Sequence, residues 1–248
     1  MNSFGLYEKI DGPEGYALGF KLEAKELERV KSLIEMQWRE RLCEVAPEQR
    51  STFEELGIEQ YHEVSELVDH STIWSKRCRM LSVRVVDEIR EMPFFKKLRQ
   101  ELGEFFISDE DEVGWEEIYW RLVRPNEPSD VGPLHADKWF WDFCRGTLPS
   151  DKRRIKIWVA IVCERDRNGL CVVPTSHLRE WKYHAEERYG MIKPQIDIID
   201  ENAQERNIQL ISTDPGDAII FNDSLLHRGI INVGQQTRVS LEFTMLVS

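Results

Sequence analysis

The chain has 248 residues, of which 41% are hydrophobic and 31% are charged, and Lys+Arg 33 against Asp+Glu 45 give a net charge of −12. This composition excludes a disordered or fibrous protein. The negative charge disfavours nucleic acid and anionic membrane surfaces as partners.

The sequence carries no targeting or membrane signal that we can identify. The first ten residues lack the pattern of a secretory signal, and no window approaches the ~20 consecutive apolar residues of a membrane span. Five scattered cysteines without a C-x-x-C pair fit reduced thiols. We therefore expect a cytoplasmic protein with a single domain over residues 1–248, and the sequence leaves its oligomeric state open.

The first 110 residues are predicted to be mainly helical. Apolar residues at three- and four-residue steps predict a helix over 23–45. A capping-box pattern within 51–55 predicts a short helix after it, and another helix is expected to start near Ser71. In the helical spacing that follows, Pro93 predicts a break.

Strand patterns replace the helical spacing after the acidic run 108–112, which we interpret as a solvated connector. Short apolar and β-branched segments bounded by Gly, Pro, Asn and Asp are predicted as strands at 115–124, 155–162, 170–173, 209–212, 218–221 and 238–247. Strands without intervening helices favour antiparallel pairing, closed as a barrel or folded as a jelly roll. The charged segment near 178–206 is predicted to be a helical insertion.

Three residues in the strand-rich half form a candidate metal site. His135 and Asp137 lie two residues apart, and in a strand this spacing points both side chains to one face. His227 follows 90 residues after Asp137, just beyond an apolar strand. Two imidazoles and one carboxylate on a facial triangle suit non-haem Fe(II), because they leave coordination positions open.

A second pair, Arg238 and Ser240, follows eleven residues after His227. Its spacing again allows both side chains to share one face. A guanidinium grips a carboxylate with two hydrogen bonds and a hydroxyl can add a third, so the pair suits a dicarboxylate bound by its far end. We predict that this dicarboxylate is 2-oxoglutarate.

These five residues together resemble the Fe(II)/2-oxoglutarate-dependent dioxygenases, and segments 134–141 and 169–177 resemble the phytanoyl-CoA dioxygenase-like branch. The resemblance covers about 115–248. It implies an α+β fold, a double-stranded β-helix (jelly roll) over 111–248 with the N-terminal helices of 1–110 packed on one sheet. Leu170 and Thr175 differ from the residues that are commoner at these positions of the branch's motif, and neither is a proposed ligand.

The resemblance implies an oxygenase that uses Fe(II), 2-oxoglutarate and O2 and releases succinate and CO2. Related halogenases lack the carboxylate ligand so that chloride can bind, so the presence of Asp137 favours hydroxylation, or a related desaturation or ring closure. We expect the substrate to be a small polar metabolite. Two alternatives remain: a catalytically silent jelly-roll module that binds a small acid or a metal, and an oxygenase that acts on a protein side chain.

Several other residues keep two interpretations at this point. His177 is a rival metal ligand, although its turn context favours a loop-structural or pocket-lining role. The remaining histidines lie among charged helical neighbours and are predicted to be surface residues. Pocket or packing roles stay open for Lys138, Trp139, Trp141, Tyr119, Arg121, Lys156 and Trp158, and a role beside His227 stays open for Asn222, Asp223 and Arg228.

Overall fold

The N-terminal part folds into short helices whose apolar faces turn inward. The computed structural model describes residues 5–144, 148, 151–188, 191–196 and 207–248. The helices are α1 (Leu6–Asp11), α2 (Ala24–Val45), α3 (Arg50–Leu56), α4 (His70–Ile73), α5 (Val83–Arg90), α6 (Pro93–Leu102) and α7 (Lys138–Cys144). Short 3₁₀ segments lie at Pro47–Gln49, Ile58–Leu67, Arg77–Arg79, Pro128–Asp130 and Ser176–Leu178.

Two facing antiparallel sheets contain most strands of the second half together with two strands of the first half. The strands are β1 (Tyr16–Lys21), β2 (Phe106–Ile107), β3 (Tyr119–Val123), β4 (Arg153–Val162), β5 (Leu170–Val172), β6 (Tyr183–Arg188), β7 (Met191–Ile196), β8 (Gln209–Leu210), β9 (Asp217–Asn222), β10 (His227–Gly229) and β11 (Arg238–Val247). The larger sheet has the order β1-β9-β4-β11-β2, and β3 also pairs with β11. The smaller sheet has the order β10-β5-β8, and β6 and β7 form a separate hairpin.

The larger sheet is buried on both faces, which explains why its central strands are almost continuously apolar. On its outer face, Ile157 of β4 and Phe243 of β11 join a core with helix residues such as Trp38 and Phe95. On its inner face, Trp158 of β4 packs with residues of the smaller sheet, including Val172. The inner face therefore lines the space between the sheets, while the helices brace the outer face.

The predicted fold class is confirmed: a double-stranded β-helix carries N-terminal helices on one sheet. Helix α2 spans 24–45 as predicted, and the Glu26 side chain accepts a hydrogen bond from the backbone N–H of Glu23 at its start (2.9 Å). The predicted break at Pro93 is also confirmed, since α5 ends at Arg90 and α6 begins at Pro93. No helix among the described residues has the length and apolarity needed to cross a membrane.

Two local predictions were wrong, and one strand was not predicted. In the predicted helical insertion near 178–206, the described residues contain the hairpin of β6 and β7 and no α-helix, and the other positions of the segment lie outside the described residues. Strand β1 was missed, and it completes the edge of the larger sheet by pairing with β9. The acidic connector is not fully solvated, since the Glu110 side chain is only 8% exposed and contacts Lys76.

Candidate active site

The structure brings His135, Asp137 and His227 together between the two sheets. One ligand atom from each of these three residues lies within 4.8 Å of the others. The Nε2 atom of His135 lies 3.8 Å from Oδ1 of Asp137, and Nε2 of His227 lies 3.5 Å from Oδ2. The predicted convergence of two imidazoles and one carboxylate is therefore present in the geometry.

Backbone pairing sets the positions of the two histidines. His135 precedes α7 and forms an isolated antiparallel bridge with His227 at the start of β10. The backbone N–H of each histidine donates to the carbonyl of the other, at 3.1 and 2.9 Å. The prediction of a strand around His135 is thus correct only at this bridge, because Asp137 already lies in a turn.

Both imidazoles present Nε2 to the site. Nδ1 of His135 lies 2.8 Å from the carbonyl oxygen of Pro133, and Nδ1 of His227 lies 2.9 Å from that of Leu225. Since a carbonyl oxygen can only accept, each Nδ1 is the donor in its contact, and Nε2 of each ring is directed toward Asp137. Burial lowers the pKa of His135 to about 4, which keeps this imidazole neutral at neutral pH.

Asp137 is positioned by the turn that leads into α7. Its carbonyl accepts the N–H of Phe140 (3.0 Å), and the N–H of Lys138 donates to the carbonyl of Asp223 (2.9 Å). The Oδ2 atom of Asp137 is buried and accepts no hydrogen bond among the described residues. Burial raises the pKa of Asp137, but Lys156 and the two histidines outweigh it and the net pKa is lowered, so the group is a carboxylate.

Arg238 lies on the inner face of β11 and lines the same cavity as the three candidate ligand residues. The residue is 3% exposed, and its Nη1 donates to the carbonyl of Gly169 (2.9 Å). Its Nε is buried with no hydrogen-bond partner among the described residues, and no described carboxylate lies within ion-pair distance. Burial lowers the pKa of this guanidinium to about 10, so it stays charged at neutral pH and lacks a full set of acceptors.

Ser240 shares the inner face with Arg238 but its hydroxyl has another partner. Ser240 Oγ donates to Oε1 of Glu242 (3.3 Å), and the other oxygen of Glu242 pairs with Nε of Arg121 (3.0 Å). The sequence left the role of Arg121 open, and Glu242 was not predicted to belong to the site. The signal for Glu242 was its position two residues after Ser240, which places it on the same face of β11.

Lys156 of β4 lies close to the carboxylate of Asp137. Its Nζ lies 3.7 Å from Oδ2 of Asp137 and 3.9 Å from Oε1 of Glu110. The same ammonium donates to the hydroxyl oxygens of Thr244 (3.2 Å) and Tyr119 (3.4 Å). Burial opposes its charge, but Asp137, Tyr119 and Glu110 outweigh that effect and raise the pKa of Lys156.

His177 does not join the three ligand residues. It lies in a 3₁₀ turn at Ser176–Leu178, and its ring packs against the N-terminal loop at Gly15. A Cβ atom at Gly15, where φ is +78°, would lie 2.5 Å from Nδ1 of His177. The preferred loop-structural role fits this packing.

The predicted surface position of the other histidines was wrong for His62 and His70, which are partly buried. The His70 side chain is only 16% exposed. Its Nδ1 accepts from the hydroxyl of Tyr61 (3.1 Å), and its Nε2 lies 3.4 Å from Oδ1 of Asp130. His62 is half-buried and bonds to Thr237, whereas His184 is exposed.

The aromatic residues after the metal motif pack rather than line the cavity. Trp139 is 4% exposed and stacks on Tyr183 of the hairpin with ring centroids 4.6 Å apart. The guanidinium of Arg154 covers the ring of Trp141 at 4.7 Å, and Arg154 also pairs with Asp223. Among the described residues left open, those that do line the cavity are Arg121, Lys156, Trp158 and Arg228.

Comparison with protein families gives one match. The sequence profile described as "Phytanoyl-CoA dioxygenase (PhyH)" matches residues 23–240, which is most of the chain. No curated protein matches the chain.

Solved structures share the fold at low sequence identity. A non-heme monooxygenase, ThoJ in its apo form, has 14% identity and a TM-score of 0.59 over 98% of this chain and 77% of its own. EctD from S. alaskensis with 2-oxoglutarate and 5-hydroxyectoine has 14% identity and a TM-score of 0.56 over 95% and 73%. AviO1 from Streptomyces viridochromogenes has 13% identity and a TM-score of 0.54 over 97% and 92%.

Proposed function

The chain belongs to the phytanoyl-CoA dioxygenase family, and from this premise we propose that it is an Fe(II)- and 2-oxoglutarate-dependent oxygenase that hydroxylates a C–H bond of a small polar metabolite. His135, Asp137 and His227 hold the metal, and Arg238 and Ser240 bind the cosubstrate. The observation that carries the proposal is the convergence of the three ligand side chains in one cavity with the buried, incompletely paired Arg238.

The three proposed ligands fit Fe(II) by their chemistry. Two imidazoles whose Nε2 atoms face Asp137, together with its carboxylate, form the two-histidine, one-carboxylate set that suits non-haem Fe(II). The backbone carbonyls that accept from both Nδ1 atoms fix the orientation of the rings. A buried carboxylate oxygen without a hydrogen bond, Oδ2 of Asp137, is also what a cation site requires.

Arg238 fits the carboxylate of 2-oxoglutarate that lies far from the metal. A buried guanidinium without a carboxylate partner is costly, and a bound anion would supply the acceptors that Nε lacks. Ser240 would have to turn its hydroxyl from Glu242 toward the cosubstrate to add its predicted hydrogen bond. The ring of Trp158, which lies 5.8 Å from the Arg238 guanidinium, forms an apolar wall of the same cavity.

When bound, Fe(II) and 2-oxoglutarate supply the oxygen chemistry, in which 2-oxoglutarate becomes succinate and CO2 and the substrate is oxidised. The chain's own residues position these groups and exclude water. Phe140 and Phe221 pack against the rings of His135 and His227 at 5.5 and 4.7 Å and shield them from solvent. Asp137 fills the third ligand position, which favours hydroxylation over halide transfer.

The structural neighbours support a small-molecule substrate by analogy of fold alone. The EctD structure holds 2-oxoglutarate together with 5-hydroxyectoine, and ThoJ is described as a non-heme monooxygenase. The same architecture thus accommodates a cosubstrate and a small hydroxylated molecule at once. We extend this to the present chain as part of the proposal.

The test is succinate formation from 2-oxoglutarate in the presence of Fe(II), O2 and fractionated pools of small metabolites. We expect one fraction to stimulate succinate formation and to yield a product heavier by one oxygen atom. His135→Ala should abolish both signals, whereas His184→Ala, which removes an exposed histidine, should leave them unchanged. Unaltered turnover in His135→Ala would reject the metal assignment.

A second measurement does not depend on finding the substrate. Anaerobic addition of Fe(II) and 2-oxoglutarate should produce a visible charge-transfer band that is absent in His135→Ala and weak in Arg238→Met. If the wild type gives no charge-transfer band, the proposed function is wrong and the catalytically silent jelly-roll module is favoured instead.

A further inference from the structure

Lys156 is a buried cation beside the proposed metal ligand, and the proposed function does not use it. It is 4% exposed on the inner face of β4, at the register position opposite Thr244 of β11. A cation this close to a metal site repels the metal, so its presence there needs an explanation.

The ammonium of Lys156 lies between two carboxylates. Oδ2 of Asp137 is 3.7 Å away and Oε1 of Glu110 is 3.9 Å away, so neither forms a close pair. The hydrogen bonds to Thr244 and Tyr119 hold the ammonium at this intermediate position. Its charge is thus shared between a metal ligand on one side and an acidic side chain on the other.

Glu110 is fixed independently of the metal ligand. Its Oε1 accepts the hydroxyl of Thr244, and its Oε2 accepts from Nζ of Lys76 (3.2 Å). Lys76 in turn pairs with Asp111 and Glu117, at 3.0 and 2.9 Å. The carboxylate of Glu110 therefore stays beside Lys156 whether or not a metal is bound.

From these contacts we propose that Lys156 is a positioning residue that neutralises Asp137 in the metal-free protein and is itself neutralised by Glu110 when the metal engages Asp137. This inference rests on the proposed function, because it takes His135, Asp137 and His227 as the metal ligands. Its consequence is that Lys156 limits metal affinity, while Glu110 offsets part of that repulsion.

The two residues therefore have opposite effects on metal binding, which a merely structural role would not produce. Lys156→Met keeps most of the side-chain volume, removes the repelling charge and leaves Asp137 without its counter-ion. We expect it to bind Co(II) roughly tenfold more tightly than the wild type. Glu110→Gln removes the offsetting carboxylate, and we expect it to bind Co(II) roughly threefold more weakly.

The measurement is an absorbance titration of each full-length variant with Co(II), combined with the change in Tm on adding Co(II). Lys156→Met should show a larger Co(II)-induced rise in Tm than the wild type, because its metal-free form contains an uncompensated carboxylate. Lys138→Met is the matched control. It removes the lysine next to Asp137 in sequence, whose ammonium pairs with Asp142 instead (3.0 Å), and should behave as the wild type.

The outcomes separate this inference from the proposed function. Weaker or unchanged Co(II) binding in Lys156→Met would overturn the role of Lys156 while His135→Ala still abolishes binding. If Lys156→Met does not fold, Glu110→Gln decides: binding as tight as in the wild type, or tighter, would overturn the role. Wild-type protein that binds no Co(II), or His135→Ala protein that binds it normally, would overturn the proposed function and this inference with it.

Discussion

The buried guanidinium of Arg238 gives two predictions of opposite sign for one substitution, Arg238→Met. Removing the guanidinium should weaken 2-oxoglutarate binding and at the same time stabilise the protein in the absence of ligands. Both effects follow from one observation, a charged group that is 3% exposed and has neither a carboxylate partner nor an acceptor for Nε among the described residues.

The magnitude follows from the surroundings of Arg238. Burial lowers the pKa of its guanidinium to about 10, which corresponds to roughly 3 kcal/mol against the charged form. Methionine would lose the charged hydrogen bond to the Gly169 carbonyl, which contributes roughly 1.5–2 kcal/mol. The ligand-free variant should therefore be more stable by about 1–1.5 kcal/mol, or by a few degrees in Tm.

The loss of ligand binding should be larger than this gain. A charge-assisted, two-bond contact between a guanidinium and a carboxylate contributes about 2–4 kcal/mol, so the Kd for 2-oxoglutarate should rise roughly 30- to 1,000-fold. Calorimetric titration with 2-oxoglutarate in the presence of Co(II) measures the Kd. Thermal unfolding without ligands measures the stability.

Arg79 provides the matched control. Its guanidinium also lies in a low-dielectric setting that lowers its pKa to about 10, but it donates to the carbonyls of Trp74 and Trp120. Arg79→Met loses two such charged hydrogen bonds, together about 3–4 kcal/mol, against a burial cost of roughly 3 kcal/mol. It should therefore destabilise the protein slightly and leave the Kd for 2-oxoglutarate unchanged. If Arg238→Met is less stable than the wild type without ligands, or if its Kd for 2-oxoglutarate is unaltered, the proposal that the Arg238 guanidinium binds an anion is refuted.

Three further predictions concern the surroundings of the site and the helical layer. Gly229→Ala would place a Cβ 3.3 Å from Nη1 of Arg238, so we expect a Kd for 2-oxoglutarate about tenfold higher with Co(II) affinity unchanged, as measured by titration. Burial lowers the pKa of His70 to about 4, so the unfolded state binds more protons than the folded state, and stability falls as the pH drops from about 6.5 to 4. In urea titrations, His70→Asn should remove about 2 kcal/mol of that loss of stability. The same pH dependence in the variant and the wild type would contradict the assignment. Phe95 stacks on Phe243 across the outer face with centroids 5.3 Å apart, so Phe95→Ala should cost about 3–5 kcal/mol in the free energy of unfolding, and a cost below about 1 kcal/mol would show that the helices do not brace the sheet.

The candidate ligand residues could be proposed from the sequence because residue type and short spacing indicate their chemistry. His135 with Asp137, and Arg238 with Ser240, each lie within one local segment, and His227 follows a strand that its apolar run identifies. Four of these five side chains, His135, Asp137, His227 and Arg238, line one cavity. Ser240 lies on the predicted face, but its hydroxyl contacts Glu242.

What the sequence did not predict depends on pairing between distant segments. The burial of Glu110 requires Lys76 and Thr244, which are 34 and 134 residues away. Strand β1 forms because it pairs with the edge of β9, and the sequence of its own six residues does not indicate this pairing. The hairpin of β6 and β7 has many charged residues and no clear period, so the pattern did not distinguish it from a helix.

The mutual backbone hydrogen bonds between His135 and His227 have one more consequence. Because a pair of backbone hydrogen bonds joins the two histidines, we expect their rings to keep the same relative position when a chelator removes a bound metal. Rebinding of a divalent cation to the proposed ligands would then need only diffusion of the cation into the site, and the segments that carry the histidines would not have to refold. We therefore expect one divalent ion to exchange for another rapidly and reversibly at this site.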